Sequence, residues 1–529
     1  MIARHLALFL AAALLVTVAP AAARPDEAAL RDLHALVTDW QVAEARELLT
    51  PLLADDPSDP GLRFLNGRTQ YFEGRYTEAL HTLDALIGDL GEDAPPPVRA
   101  VRDEVARTQE ALSDFDEVVS ADGRFLIRFK GKDRLMVPYA EDTLHRVDAV
   151  LSQDFGYRPR DRIVVEIYPE IKYLAAVSPL TEEEIETSGT IALCKYNRLM
   201  ITSPRALVRG YGWQDTLAHE FVHYYVTKVS RNTVPIWLHE GIAKFEESRA
   251  HAEPGLPLEP PQEDLLARSL REDKLITFGQ MHPSMAKLPS QEAAALAFAE
   301  VHTVIGFLYA KKGYPGLNAL ISRLRAGDEM NAALRRAYGW DLDGLWTAWK
   351  VDLRGQGLRT WPGLVQTSLK FKRPGEADQP EAEAEADYDT IEEKKVKDFT
   401  HLGELLRARG RDAAALVEYQ KAIVTGGDGN PVVQNGAAAS MIALGRFDEV
   451  PKTLERVRLY YPTFVNTFLH LGEAFLHQND AAQATASFEV AVGINPFHPR
   501  PHEALIKLYG DAGKPELAAR AKKTLEMLQ

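Results

Sequence analysis

The chain has 529 residues, more than one hydrophobic core accommodates, which predicts about three domains. Its formal net charge of −15 excludes nucleic acid and anionic lipid as expected partners. A single cysteine, Cys194, excludes an internal disulfide, and its place in an apolar stretch marks it as a packed thiol rather than a nucleophile.

Residues 1–23 join basic Arg4 to an apolar run from Leu6 to Val18 and end on Ala21-Ala22-Ala23, the pattern of a secretory signal peptide. The apolar run is too short to cross a bilayer, so the expected product is exported, to a bacterial periplasm or the exterior, with no membrane span after cleavage. From 24 to 115 apolar residues recur at helical spacing, with breaks at Asp56-Pro57, Asp59-Pro60 and Gly74-Arg75. Similar segments around Ala45 and Ala79 stand 34 residues apart (79 − 45), which predicts one to two tetratricopeptide-like hairpins. So short an array should depend on docking against the region after residue 115.

Between 116 and 369 the pattern changes. Phe125, Ile127 and Phe129 alternate with Leu126 and Arg128, and Ile163 to Ile167 is β-branched, so both stretches read as strands separated by a helix over 141–155. Residues 189–193 and 199–202 flank the turn former Asn197 and predict a hairpin, whose edge strand would accept an extended peptide by strand addition.

The hairpin leads into His219-Glu220-Phe221-Val222-His223. On a helix His219 and His223 are i and i+4, so both imidazoles leave one face close enough to share a metal ion, and Glu220 beside them is placed as a general base. Pro235 opens a second helix that carries Glu240, the expected third ligand. Its rivals are His239, which faces about 100° away, and Glu246 and Glu247, which lie about 9 to 10 Å further along the axis. Val226 and Val229 stand where a metzincin needs Gly and His. The plain alternative is a structural helix whose histidines only pack.

The run from Trp213 to Glu247, W-x-D-T-L-A-H-E-x-x-H followed by V-P-x-W-L-x-E-G-I-A-x-x-x-E, resembles the gluzincin zinc peptidases, in particular peptidase-MA-like domains that sit beside helical repeats. The resemblance extends over about residues 116–357. It implies an α+β catalytic domain with a mixed sheet and zinc-binding helices, Zn2+ as cofactor, His219, His223 and Glu240 as ligands and Glu220 as base. Two departures stand out. Where aminopeptidase members have a G-A-M-E-N-type strand, this chain reads Ser188-Gly189-Thr190-Ile191-Ala192-Leu193-Cys194, so aminopeptidase activity does not carry over. Where thermolysin-like members place an Asp to orient a zinc histidine, this chain has Lys244, leaving Glu247 as the nearest substitute.

A strong helix comes next, with Phe298, Val301, Ile305 and Leu308 on its apolar face and His302 beside them. His302 is the candidate donor for the oxyanion, with Tyr309, Tyr211 and Tyr225 as competitors. Residues 370–396 turn acidic and aperiodic and read as a flexible linker. From 397 to 529, Gly410, Gly445, Asn479 and Gly513 mark turns at intervals of 35, 34 and 34, which predicts about four tetratricopeptide-like hairpins with a surface for a protein partner. Few contacts should cross the linker, so residues 24–370 should fold and hold metal alone. The whole reads as an exported zinc metallopeptidase acting on a peptide or protein substrate. The alternative is a repeat scaffold carrying a vestigial peptidase-like domain.

Overall fold

The computed structural model describes residues 27–365, 367–373 and 391–528. The segment read as a signal peptide and most of the acidic stretch lie outside these residues. The chain is mostly helical, with one small mixed sheet. The described residues open with five helices, α1 (Glu27–Thr38), α2 (Val42–Asp55), α3 (Pro60–Phe72), α4 (Tyr76–Leu90) and α5 (Pro96–Ala111). The Asp-Pro break predicted from sequence is the start of α3: the Asp59 carboxylate accepts the Leu62 N–H, and Pro60 fills the first turn, where its missing N–H costs nothing. The apolar faces of these helices meet in a core that also takes in Tyr168, Leu174, Val177 and Met200 from the next region. The array is therefore docked, with two hairpins followed by a further helix that begins at Pro96.

Next come five strands: β1 (Asp116–Val119), β2 (Phe125–Phe129), then α6 (Val137–Asp154), β3 (Ile163–Tyr168), the short helices α7 (Ile171–Val177) and α8 (Glu182–Ser188), and the hairpin β4 (Ala192–Lys195) and β5 (Arg198–Thr202). The sheet order is β1-β2-β3-β5-β4, antiparallel at both edges and parallel between β2, β3 and β5. Every residue of β3 is buried, because α6 and the helix Trp213–Ser230 cover one face while the first helices and α7 cover the other. That two-sided burial explains a continuous β-branched run where a half-exposed strand would alternate. The hairpin turns on Tyr196 and Asn197, both at positive φ (56° and 64°), the twist that matches a two-residue connection.

The helices α9 (Trp213–Ser230), α10 (Ile236–Glu246), α11 (Pro260–Glu272), α12 (Gln291–Arg325), α13 (Met330–Tyr338) and α14 (Leu342–Gly355) complete the region. By length and mean hydropathy α12 would pass for a membrane span, but 61% of its most apolar window is buried within the protein, and the chain leaves helical geometry at Gly313. Inside it Glu300 has no exposed surface. One carboxylate oxygen accepts the Ile276 N–H at 2.9 Å and the other has no partner. Burial pushes its pKa up from 4.5 to about 8. The folded protein thus holds this proton to higher pH than the unfolded chain does, so stability falls as pH rises through that interval and levels off above it. Glu300→Gln keeps an acceptor and removes the charge. It should gain on the order of 2 kcal/mol over wild type at pH 9 and little at pH 5, read from urea unfolding at the two pH values. An equal change at both would refute the assignment.

The carboxy-terminal part forms eight helices, α15 (Lys394–Ala408), α16 (Asp412–Val424), α17 (Pro431–Ala443), α18 (Val450–Tyr460), α19 (Val465–His477), α20 (Ala481–Ile494), α21 (Pro499–Asp511) and α22 (Pro515–Leu528), in successive hairpins. Gly472 lets α19 and α20 approach: a Cβ there would come within 2.6 Å of the Phe488 ring. These repeats do not stand apart from the rest, and the expectation of few contacts across the acidic stretch is corrected. Residues 358–365 and 367–373 run back between the two parts. The Val365 N–H donates to Tyr461 Oη, Pro362 O accepts from Arg456 and Tyr460, and Val208 and Lys372 exchange backbone hydrogen bonds with Lys370 and Ala206. Arg520 pairs with Asp142 at 2.5 Å, while Phe497, Met527 and Leu528 pack against the core beneath the sheet.

Candidate metal centre

The site is built on α9 and α10. Almost every side chain of α9 from Leu217 to Lys228 is buried, which leaves it no solvated face and fixes its rotation against β4 and β5. A left-handed Arg231 ends it (φ 52°, ψ 45°), and Pro235 then stands at the N-cap of α10, one position before the first turn where it was expected. Gly241 sets the spacing of α10 on α12, since a Cβ would lie 2.7 Å from Ile305 Cγ1 and 3.0 Å from Val301 O. Glu240 is thereby pressed toward the histidines.

His219, His223 and Glu240 each offer one ligand atom, and these atoms lie within 4.8 Å of one another. Glu240 Oε2 is 3.4 Å from His219 Nε2 and 3.2 Å from His223 Nε2. A tetrahedral zinc site with bonds of about 2.0 to 2.1 Å has donor atoms about 3.3 Å apart, so the spacing fits such an ion. Charge points the same way. Glu220, Glu240 and Glu247 converge on two imidazoles with Lys244 as the neighbouring fixed cation, and a bound divalent cation would offset the excess. Burial would lower the His219 pKa, yet the Glu240 and Glu247 carboxylates hold it up, to about 10.

Glu220 is buried at the foot of β4. Burial raises its pKa, and one carboxylate oxygen, Oε2, has no hydrogen-bond partner. The Cys194 backbone N–H of the edge strand donates to the same carboxylate. Burial and the nearby Glu220 charge push the Cys194 thiol well above its usual range, so it remains a protonated packing group.

The surrounding side chains answer the open questions. Glu247 Oε2 lies 3.2 Å from His219 Nδ1, and its other oxygen is gripped by Lys244. Lys244, which looked like a lost anchor, braces the carboxylate that orients the histidine. Burial would raise the Glu247 pKa, but Lys244 and His219 bring it down to about 2. Glu246 turns away to Tyr314. His239 lies behind His223, its Nδ1 2.5 Å from His223 Nδ1, outside the group of ligand atoms. The structure does not bring His302 into the cluster. Its ring nitrogens face Leu256 O at 2.9 Å and Lys244 O at 3.4 Å, and it pins the loop after α10 instead. Tyr211 donates to Thr202 O and Tyr225 to Asp148, while Tyr309 packs on Phe245 and Tyr314. Sequence reasoning missed the support behind His223, whose only signal was a second histidine next to Glu240.

The family model of the Peptidase MA superfamily matches residues 140–355, from α6 to the end of α14. A comparison with curated proteins finds no match. Among solved structures, MamA AMB-1 is similar at 22% identity over 29% of this chain and 90% of its own, with a TM-score of 0.23. Yeast Tom70 is similar at 10% identity over 96% and 86%, and the APC/C hetero-tetramer Cut9-Hcn1 at 13% over 96% and 80%, both with a TM-score of 0.25. Scores this low carry no weight for fold or function here.

Proposed function

We propose that the chain is an exported zinc-dependent peptidase, with His219, His223 and Glu240 holding the ion, Glu220 moving the proton, and the carboxy-terminal repeats recruiting a protein partner. The observation that carries this reading is the convergence of three ligand atoms beside the unpartnered Glu220 Oε2, at the open edge of the sheet. Zinc held by His219, His223 and Glu240 would supply a Lewis acid that lowers the pKa of water and polarises a carbonyl. Glu220 Oε2 then takes the proton of the attacking water and hands it to the leaving amine. The edge strand supplies alignment. In its hairpin with β5, Lys195 pairs with Arg198 across a two-residue turn, so the N–H and C=O groups of Cys194 and Ala192 point outward, the side on which Cys194 meets Glu220. An extended peptide added at that edge would run past the base.

The test is wild type beside Glu220→Gln and His219→Ala, measured for zinc content and for turnover of a peptide library. We expect about one zinc per chain in wild type and Glu220→Gln and none in His219→Ala. Turnover should fall by about 100- to 10,000-fold in Glu220→Gln, whose amide cannot accept the proton. Undiminished cleavage by Glu220→Gln would displace the base. A wild type that binds zinc and cleaves nothing in the library would favour the scaffold alternative.

A further inference from the structure

Resting on the zinc reading above, we infer that His239 is a positioning residue that holds His223 in its metal-binding tautomer by accepting the Nδ1–H of His223. The ring centroids of His223 and His239 are 4.5 Å apart and the facing Nδ1 atoms 2.5 Å, so the nitrogens lie close to the line joining the ring centres. With 25° between the planes, this is an edge-to-edge hydrogen bond and not a face-to-face stack. A neutral imidazole carries one hydrogen, so one Nδ1 donates and the other accepts.

The bound cation decides which, because in an empty site Glu240 Oε2, 3.2 Å from His223 Nε2, would accept a hydrogen from that nitrogen. If His239 donated, the hydrogen of His223 would sit on Nε2, the atom that faces Glu240 Oε2 at 3.2 Å, and that nitrogen would have no lone pair for a cation. In the opposite arrangement His223 Nε2 is bare, and His239 carries its hydrogen on Nε2, where Thr227 Oγ1 waits at 3.2 Å to accept it. Each link of the chain His223, His239, Thr227 then has one donor and one acceptor. His219 is fixed differently, because the Glu247 carboxylate only accepts and forces its hydrogen onto Nδ1. The two ligand histidines are therefore oriented by unlike partners, a carboxylate braced by Lys244 and a neutral imidazole braced by a hydroxyl.

The experiment uses full-length protein stripped of metal and titrated with zinc against a chromophoric chelator, with the visible spectrum of the cobalt-loaded form as a second readout and thermal melting as the control for folding. His239→Leu removes the acceptor and should weaken zinc binding by about 10- to 100-fold with an altered cobalt spectrum. His239→Asn, whose Oδ1 takes the place of Nδ1 as acceptor, should restore affinity to within about threefold of wild type. Thr227→Val keeps the imidazole but removes its brace, and should weaken binding about three- to tenfold. His239→Leu that melts like wild type and binds zinc as tightly overturns the inference, as does His239→Asn falling as far as the leucine variant. Should His239→Leu fail to fold, unchanged affinity in Thr227→Val overturns it. A wild type that takes up no zinc overturns the zinc reading itself, an outcome distinct from the others.

Discussion

A chain ending at Arg373 is expected to be insoluble or to unfold without a cooperative transition, and to lose its metal affinity with its fold. The repeats hold the beginning of α9: the Tyr211 N–H, two residues before it, donates to Ile494 O at the end of α20. Gly210 beside it lies so close to that carbonyl that a Cβ would come within 2.5 Å. Removing the repeats also uncovers Tyr139, Trp361 and Leu364, which are partly buried in the cores of α15–α22, and takes Phe497, Met527 and Leu528 off the core that includes β2, β3 and α9. Each large apolar side chain fully uncovered costs about 1.5 to 3 kcal/mol, so losing several such contacts removes a sizeable share of the 5–15 kcal/mol that holds a typical domain together. The far end of α9 is held by the other array, where Gln41 donates to Lys228 O and Lys228 Nζ to Trp40 O. Both arrays therefore grip the helix that carries the ligands. A shortened protein that stays monomeric, melts cooperatively near the wild-type temperature and binds zinc would show that these contacts are dispensable.

The sequence carried the helices and central strands because their patterns are local. Alternation found β2, the β-branched run found β3, Asn197 found the hairpin, and the 34-residue rhythm found the hairpins on either side. What escaped is what only the tertiary structure supplies. β1 reads Asp-Glu-Val-Val with no buried alternation and exists because β2 offers it an edge. The short helices α7 and α8 are held under the first array, and nothing in their lengths announces them. The acidic composition after Lys370 suggested separation of domains, yet composition says nothing about the apolar faces on either side, and these proved to meet.

At the site, the grouping of His219, His223 and Glu240 was legible, and the part His239 and Lys244 play around it was not. The i, i+4 pairing of His219 and His223 is a property of any helix, and Glu240 follows from a second helix entering at Pro235. His302 lies on the right helix, but its ring is turned to Leu256 O at 2.9 Å, a carbonyl of a loop whose path no periodicity predicts. Lys244 was read as a defect because one position was compared with one expected residue. Only in three dimensions does Glu247, three residues on, reach His219 with one oxygen and Lys244 with the other.

Replacing Arg198 with leucine is expected to destabilise the protein by about 3 to 5 kcal/mol, because it breaks a buried ion pair from one side. Arg198 is 1% exposed and Glu166 fully buried, on neighbouring strands, with Arg198 Nε 3.4 Å from Glu166 Oε2. The guanidinium also donates to Tyr76 Oη at 2.7 Å, Tyr71 Oη at 3.2 Å and Val177 O at 3.1 Å, so one side chain stitches the sheet to α3, α4 and α7. Burial alone would raise the Glu166 pKa, but Arg198 and then Arg128 hold it below the usual carboxylate range, so its charge persists in the folded protein. With Arg198 gone, that charge keeps Arg128 at 3.3 Å as its one cation, beside the hydroxyls of Tyr76 and Tyr168, and Tyr71 and Tyr76 lose the guanidinium that donates to them. The first array should loosen from the sheet, and early protease cleavage within residues 27–111 should accompany the loss in urea unfolding. The double variant Arg198→Leu with Glu166→Leu removes both charges and should recover a large share of the loss, since the cost of the single change lies in the charge left behind. A loss below about 1 kcal/mol in Arg198→Leu, or a double variant less stable than the sum of the single ones, would mean that packing and not this ion pair joins the first array to the sheet.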